Sequence, residues 1–354
     1  MKKIAIFVTS LRRGGAEKVT LQLAKYMVAH DVDCEVITLS EASPEEYEVP
    51  KNIVRTSVGS RSIRLLRRAI IASSADLLLI MDITACIFAV PACAGLPIKT
   101  VVSERNAPTH FSGKVSTKLL SRFLMRFADG FVFQTGEAKN FYRKRLGNKG
   151  QIIPNPVYTE SLPEPYIGKN RDKTIVAVGR LDKQKNHELL INAFSKLCND
   201  FADYNLIIYG EGFLRGHLES VVKSKGLGER ILFPGNVINV IERIRKAMVF
   251  VMPSDYEGIP NALIEAMSVG LACISTDCPC GGPRSLITND ENGMLVPTGD
   301  GETLEKALRY LLDRPNRIFE LGQKAIEIRE RLNIDRVGRM WTEYLESVAE
   351  SRVD

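Results

Sequence analysis

Apolar residues fall along this chain in short β-branched runs, separated by longer stretches in which they recur at helical spacing, and the alternation holds from end to end. It predicts parallel sheets with helices packed on both faces. In the first half the strands are expected at KIAIFV (3–8), CEVITL (34–39), DLLLIM (76–81), KTVVSE (99–104), GFVFQT (130–135) and QIIPNP (151–156). A second series runs TIVAVG (174–179), NLIIYG (205–210), ILFPG (231–235), VFVMPS (249–254), ACIST (272–276) and GMLVP (293–297). Between them, PNPVYTESLPEPYIGKNRDK (154–173) is rich in Pro, Gly, Asn and charge and has no period, which predicts an interdomain linker. From Asp300 onward the pattern is mostly helical and ends around the single tryptophan, Trp341.

The expected architecture is α/β: a doubly wound domain over 1–158, a linker over 159–172, a second doubly wound domain over 173–334 and a C-terminal helix over 335–354 that packs back on the first domain. Ligands of such sheets bind outside the carboxyl ends of the strands, and two such domains facing each other make a cleft.

The longest apolar run, LLLIMDITACIFAVPACAGLPI (77–98), is interrupted by Asp82 and Pro91. No uncharged stretch reaches the roughly 18 residues of a spanning helix, so a buried strand, a loop at Asp82 and a buried helix are expected. With 354 residues, 45% apolar and 25% charged, the chain has enough material for two cores of its own. Seven cysteines at irregular spacing, and a Met1 that leads straight into an apolar strand without a signal peptide, point to the reducing cytosol. Cys278 and Cys280 flank a proline as CPC with no second Cys or His cluster at metal spacing, so no metal is expected.

The net charge of +6 is unevenly spread, because residues 1–158 hold 23 Lys+Arg against 13 Asp+Glu and the remainder holds 25 against 29. The basic residues cluster in RSIRLLRR (61–68) and KVSTKLLSRFLMRFA (114–128). In the latter, Leu119, Leu120, Phe123, Leu124 and Phe127 recur at helical spacing beside Lys114, Lys118, Arg122 and Arg126. That pattern suits a helix lying on an anionic membrane surface, and the same stripe can equally face the protein's own core. The cations lack an interleaved aromatic platform or a recognisable module, which argues against nucleic acid.

Candidate chemistry gathers at predicted strand ends. In TSLRRGGAEKV (9–19), Gly14 and Gly15 permit a tight turn whose amides can hold an anion at a helix start, although the G-x-G-x-x-G spacing is absent and a plain turn fits as well. In VGRLDKQKNHELLINAF (178–194), Arg180 and Lys185 converge near a helix start with Asn186 as a candidate cap, an arrangement suited to a diphosphate. Gly210 and Gly212 in YGEGFLRG, and Pro234, Gly235 and Asn236 in FPGN, form turns that would let a flat base approach the backbone. In SDYEGIPNALIEAM (254–267), Glu257 occupies the loop after a strand, Asn261 is a candidate cap, and Glu265 lies about one turn into the helix, within reach of a ribose diol.

The run YEGIPNALIEAMSVGLACIST, with Glu257 and Glu265 in an E-x7-E frame, together with GGAE, VGRL, KQKN, YGEG, FPGN and NGMLVP, resembles the retaining glycosyltransferases of family 4, which have the GT-B fold. The resemblance spans nearly the whole chain, in order. It implies that Arg180 and Lys185 bind the donor diphosphate, Glu265 the ribose and Glu257 the hydroxyls of the transferred sugar, with Gly14 and Gly15 on the phosphate side. It also implies that these cations and the helix start around Gly258, Ile259, Pro260, Asn261 and Leu263 replace a metal, so no cofactor is required. The donor would be a UDP-sugar, and the acceptor a saccharide linked to undecaprenyl diphosphate at the cytoplasmic face of the inner membrane. Where related enzymes carry SEH, this chain has SERNAPTHF (103–111), which places Arg105 at the histidine and leaves Glu104, Arg105 and His110 as candidates on the acceptor side. A sugar-nucleotide epimerase of the same fold is the alternative within this class.

Overall fold

The structure, a computed structural model, describes residues 1–12, 14–110, 114–147 and 149–351, so Arg13 and Phe111 of the quoted motifs and the last three residues of the expected C-terminal helix lie outside the described residues. The chain forms two compact units, Met1–Pro156 together with Ile334–Asp354, and Val157–Asn333. The division falls two residues before the expected boundary, and the stretch 159–172 expected as a linker lies inside the second unit. Arg171 ties it down: its guanidinium donates to the carbonyls of Tyr166 at 2.8 Å, Arg245 at 3.1 Å, Ala247 at 3.0 Å and Gly270 at 2.5 Å.

The first unit has a seven-stranded parallel sheet of β1 (Lys3–Val8), β2 (Asp33–Thr38), β3 (Val54–Ser57), β4 (Leu77–Ile80), β5 (Lys99–Glu104), β6 (Gly130–Phe133) and β7 (Gln151–Ile152), in the order β3-β2-β1-β4-β5-β6-β7. Its helices are α1 (Gly15–Ala29), α2 (Ile63–Ser73), α3 (Cys86–Cys93), α4 (Val115–Leu124) and α5 (Gly136–Leu146). The second unit has a six-stranded parallel sheet of β8 (Asp172–Val178), β9 (Asn205–Tyr209), β10 (Ile231–Gly235), β11 (Ala247–Met252), β12 (Ala272–Thr276) and β13 (Met294–Val296), in the order β10-β9-β8-β11-β12-β13. It carries α6 (His187–Leu197), α7 (Arg215–Ser224), α8 (Val240–Ile244), α9 (Asn261–Ser268), α10 (Gly282–Leu286), α11 (Gly301–Leu312), α12 (Pro315–Ala325) and α13 (Ile328–Arg331), before α14 (Ile334–Glu350) rejoins the first unit.

The central strands read as continuous apolar runs because both faces are covered: β4, β11 and β12 are buried at every position. In 77–98 the chain makes β4, a turn in which Asp82 accepts from the Thr84 N–H, and the apolar α3. No described helix is long and apolar enough to cross a membrane. The stripe on α4 faces away from the protein's core: Val115, Leu119, Leu120 and Phe123 are 49–70% exposed, and Phe127 in the following turn is 64% exposed.

α14 completes the first core. Val337, Gly338, Trp341, Leu345 and Val348 recur at helical spacing and form its buried face. Gly338 is needed for the fit, since a Cβ there would strike the ring of Tyr26 on α1. The Tyr344 hydroxyl accepts the Phe131 N–H at 2.8 Å. Trp341 is fully buried, yet its indole N–H has no hydrogen-bond partner among the described residues, so its contribution is packing. Trp341→Ala is therefore expected to lower the stability of the first unit by about 3–5 kcal/mol, and Trp341→Phe by clearly less. Urea unfolding followed by circular dichroism checks both; equal losses would show that the indole N–H matters after all.

Candidate functional site

In the second sheet the strand order reverses between β8 and β11, so the segments leaving their carboxyl ends run to opposite faces and open a crevice between them. The sequence places Arg180, Gln184 and Lys185 on the segment after β8, and Asp255, Glu257 and Gly258 on the segment after β11. Backbone and side chain join the two segments: the Asp255 N–H donates to the Gln184 carbonyl at 2.8 Å, and the Asn186 amide donates to Asp255 Oδ1 at 2.8 Å.

Lys185 and Glu257 meet in this crevice. Their Nζ and Oε1 lie 2.5 Å apart, with the side chains only 15% and 8% exposed. The lysine stem rests on Gly179, where a Cβ would approach it to 3.2 Å. Gln184, which the sequence reading passed over, links the other groups: its Nε2 donates to the Tyr256 carbonyl at 3.0 Å and lies 3.4 Å from Glu257 Oε2, while its Oε1 accepts from Arg180 Nη2 at 2.9 Å. Asp182 balances the loop from the other side, 3.0 Å from Arg180 Nη2 and accepting the Lys185 N–H at 3.1 Å. Arg180 itself is 66% exposed and open to an anion from solvent.

Two expectations about these loops change. Asn186 sits at the start of α6 in the left-handed conformation (φ 44°), makes no capping bond and spends its side chain on Asp255. Asn261 is the first residue of α9, and Pro260, which has no side chain able to accept a hydrogen bond, holds the cap position. Gly210 and Gly212 serve backbone packing: a Cβ on either would overlap the carbonyl of Gly179 or of Leu181. The Leu181 N–H donates to the Glu211 carbonyl at 2.9 Å, and the Gly210 N–H to the Gly235 carbonyl at 3.0 Å, which stitches the ends of β8, β9 and β10 together. The glycines therefore hold the Arg180 loop, and Pro234 and Asn236 remain exposed beside them.

Around Glu257 the packing is equally close. A Cβ on Gly282 would overlap the Gly258 carbonyl, and Ile259 and Leu263 are buried in the core, so these positions present no side chain to solvent. Glu265 is the fifth residue of α9 and half-buried. Cys278 and Cys280 are buried reduced thiols, and burial, with the Glu257 carboxylate nearby, pushes Cys278 up to about 12. No group of three or more His, Cys, Asp or Glu able to hold a metal occurs among the described residues.

The first-unit candidates separate into two groups. Gly14 holds the cap position of α1 and Gly15 is its first residue, with the Glu17 carboxylate packed against Gly14. Glu104, at the end of β5, is buried and accepts the Tyr142 hydroxyl at 2.7 Å and the Asn106 N–H at 3.2 Å. Burial, and then the neighbouring Asp82 carboxylate, raise Glu104 to about 7. Burial likewise raises Asp82, against the hydrogen bonds from Thr84. Arg105 reaches away to Asn155 at 2.5 Å and toward Ser103 at 3.5 Å, and burial lowers it to about 10, which leaves it a cation at neutral pH. His110 is exposed and lines a cavity together with Asp82, Glu104 and Tyr142. Asp82 was legible only as a break in an apolar run; its position just after a strand was the available signal.

Comparison with known proteins agrees with this arrangement. The model for "Glycosyltransferase Family 4" matches residues 13–161 and that for "Glycosyl transferases group 1" matches residues 160–328. A glycosyltransferase of Haemophilus influenzae is 25% identical over 354 residues, covering 96% of this chain and 99% of its own. A Campylobacter jejuni α-1,4-N-acetylgalactosaminyltransferase, named for an undecaprenol-diphosphate-linked acceptor, is 27% identical over 98% of this chain and 99% of its own. Among solved structures, the sucrose-phosphate synthase of Thermosynechococcus elongatus superposes with a TM-score of 0.85 at 18% identity, covering 99% of this chain and 100% of that one. Anabaena HepE in complex with UDP superposes with a TM-score of 0.82 at 17% identity, over 98% and 100%. With both sheets wound alike and the two family models meeting end to end along it, the chain belongs to the retaining glycosyltransferases of family 4 and has the GT-B fold.

Proposed function

We propose that this enzyme transfers a hexose or N-acetylhexosamine from a UDP-sugar to a hydroxyl of an undecaprenyl-diphosphate-linked saccharide, with retention of configuration and without a metal, in the assembly of a bacterial surface polysaccharide or glycan. The observation that carries this reading is the buried Lys185–Glu257 pair, bridged to Arg180 by Gln184, at the point where the second sheet reverses its order. Lys185 and Arg180 supply the charge a departing diphosphate needs, and the positive end of α9 adds to it. Glu257 accepts from the hydroxyls of the transferred sugar, and Glu265 from the ribose. Gly14 and Gly15, at the start of α1, are assigned to the phosphates as well.

In the proposed step the bond from the sugar C1 to the diphosphate oxygen breaks, and the acceptor oxygen bonds C1 on the same face. The acceptor proton passes to the departing phosphate oxygen. No side chain then needs to attack, and Glu257 positions substrate. The UDP held by HepE and the acceptor named for the Campylobacter relative support the choice of donor and acceptor. The basic first half and the exposed apolar residues of α4 support peripheral attachment to the anionic cytoplasmic face of the inner membrane.

Three outcomes are expected. Lys185→Ala weakens UDP binding by about tenfold or more, a loss of at least about 1.4 kcal/mol by isothermal titration calorimetry. Glu257→Gln frees Lys185 from a competing carboxylate, so UDP binds at least as tightly while sugar transfer to a lipid-linked acceptor falls by about 100-fold, a loss of about 2.7 kcal/mol of transition-state stabilisation. Full transfer by Glu257→Ala, or no UDP release by wild type with any lipid-linked acceptor, would sink the reading. Leu119→Glu combined with Phe123→Glu reduces flotation with anionic vesicles and leaves UDP binding unchanged; undiminished flotation would remove α4 from membrane attachment.

A further inference from the structure

We propose that Gln184 and Asn186 are positioning residues of the donor site. As a pair of amides flanking Lys185, they fix Lys185 and Glu257 relative to each other, so that a nucleoside-diphosphate sugar held at its diphosphate has its sugar placed for transfer. This rests on the donor class proposed above and names the residues that make the two halves of that site act together.

Three consecutive residues of the segment after β8, Gln184, Lys185 and Asn186, each bond to the segment after β11. Gln184 contributes most. Its carbonyl accepts the Asp255 N–H at 2.8 Å, and its Nε2 donates to the Tyr256 carbonyl at 3.0 Å and lies 3.4 Å from Glu257 Oε2. On the other side its Oε1 accepts from Arg180 Nη2 at 2.9 Å. The amide thus turns its oxygen to the cation and its nitrogen to the carbonyl and the carboxylate, an order that neither a carboxylate nor an amine of similar length reproduces.

Asn186 secures the other flank by donating from Nδ2 to Asp255 Oδ1 at 2.8 Å. Its backbone is left-handed (φ 44°), a conformation that glycine adopts without steric cost and that asparagine tolerates better than most residues. Glycine would serve the turn alone, whereas asparagine serves the turn and adds the bond to Asp255. Between the two amides, Lys185 Nζ meets Glu257 Oε1 at 2.5 Å while Gln184 stands at Oε2, so both carboxylate oxygens are held from the facing segment. Free UDP asks only for the cations. Transfer from a UDP-sugar asks for the cations and Glu257 at once, in a geometry set before the ligand arrives, and that is what the amides impose.

The test uses the full-length enzyme with Gln184→Met, which keeps an unbranched side chain without the amide, Asn186→Gly, which keeps the backbone without the amide, and Gln184→Glu. In the first two, calorimetry is expected to find UDP affinity within about threefold of wild type. Their kcat for UDP release from UDP-hexoses or UDP-N-acetylhexosamines, with and without a lipid-linked acceptor, is expected to fall at least about tenfold, the scale of losing a hydrogen bond to a charged group. In Gln184→Glu a carboxylate faces the Tyr256 carbonyl and Glu257, among the charges of Arg180, Asp182 and Lys185 on its own segment and Asp255 on the facing one. Glu257 beside it raises the new carboxyl, and a proton there restores the missing donor, so kcat relative to wild type is expected to recover at least about fivefold from about pH 8 to about pH 6. Equal losses of UDP affinity and kcat in Gln184→Met and Asn186→Gly would mean a merely structural role and overturn the proposal. So would an unchanged kcat in either, or a Gln184→Glu deficit that does not vary with pH. If wild type turns over no UDP-sugar, the reaction proposed above fails and the clamp is decided by acetic anhydride labelling of Lys185 read by mass spectrometry. Labelling at least about threefold faster in both amide-deleted variants than in wild type, against the other lysines as reference, supports the clamp, and an unchanged rate overturns it.

Discussion

A parallel sheet wound outward from its middle has one place where the connections on its two sides leave in opposite directions, and in the second unit that place lies between β8 and β11. Everything chemical in the unit depends on the resulting gap. The end of β9 is packed closely against the end of β8, and that packing requires glycine at positions 210 and 212. At Gly210 the backbone is also left-handed in sign (φ 139°), so conformation and space both exclude a side chain. Geometry at the sheet's end thus fixes the loop that carries Arg180 and Lys185 before any ligand is considered.

Within that frame a lysine and a glutamate are held almost out of water. Removing two charges from solvent is expensive, and the attraction between them repays the cost only with good geometry and further hydrogen bonds, so such a pair is poor evidence of a device for stability. Its use is better seen as readiness. In the proposed reaction a diphosphate and a sugar hydroxyl each take one partner of the pair, and the charges they meet are already largely stripped of water. Gln184 makes the exchange concerted in space, since one amide touches both the glutamate and the arginine.

The sheets were legible wherever strands are covered on both faces, because burial writes an unbroken apolar run into the sequence. β3 was missed for the converse reason: VRTS lies at the sheet edge, half exposed, with one apolar residue in four. β7 shrank to two residues because Pro154 and Pro156 cannot donate to a ladder, as the sequence QIIPNP might have warned. Charged site residues were visible as loop cations and carboxylates after strands. Gln184 was not, since an amide carries no distinguishing pattern until the fold sets its neighbours. The linker was misplaced because aperiodicity was read as freedom, and a single buried arginine with four carbonyl partners removes that freedom.

The chain leaves the first unit at Pro156 and returns to it at Ile334, and the two ends of the excursion are bonded to each other, with the Val157 N–H donating to the Leu332 carbonyl at 2.6 Å. The second unit is therefore an insertion whose ends close on themselves, whereas the first unit is built from two separated stretches of the chain. During synthesis its seven strands emerge first, but the helix that brings Trp341 into their core is made after all 177 residues of the insertion, Val157–Asn333. The core that the first residues begin is completed only by residues on the far side of the insertion.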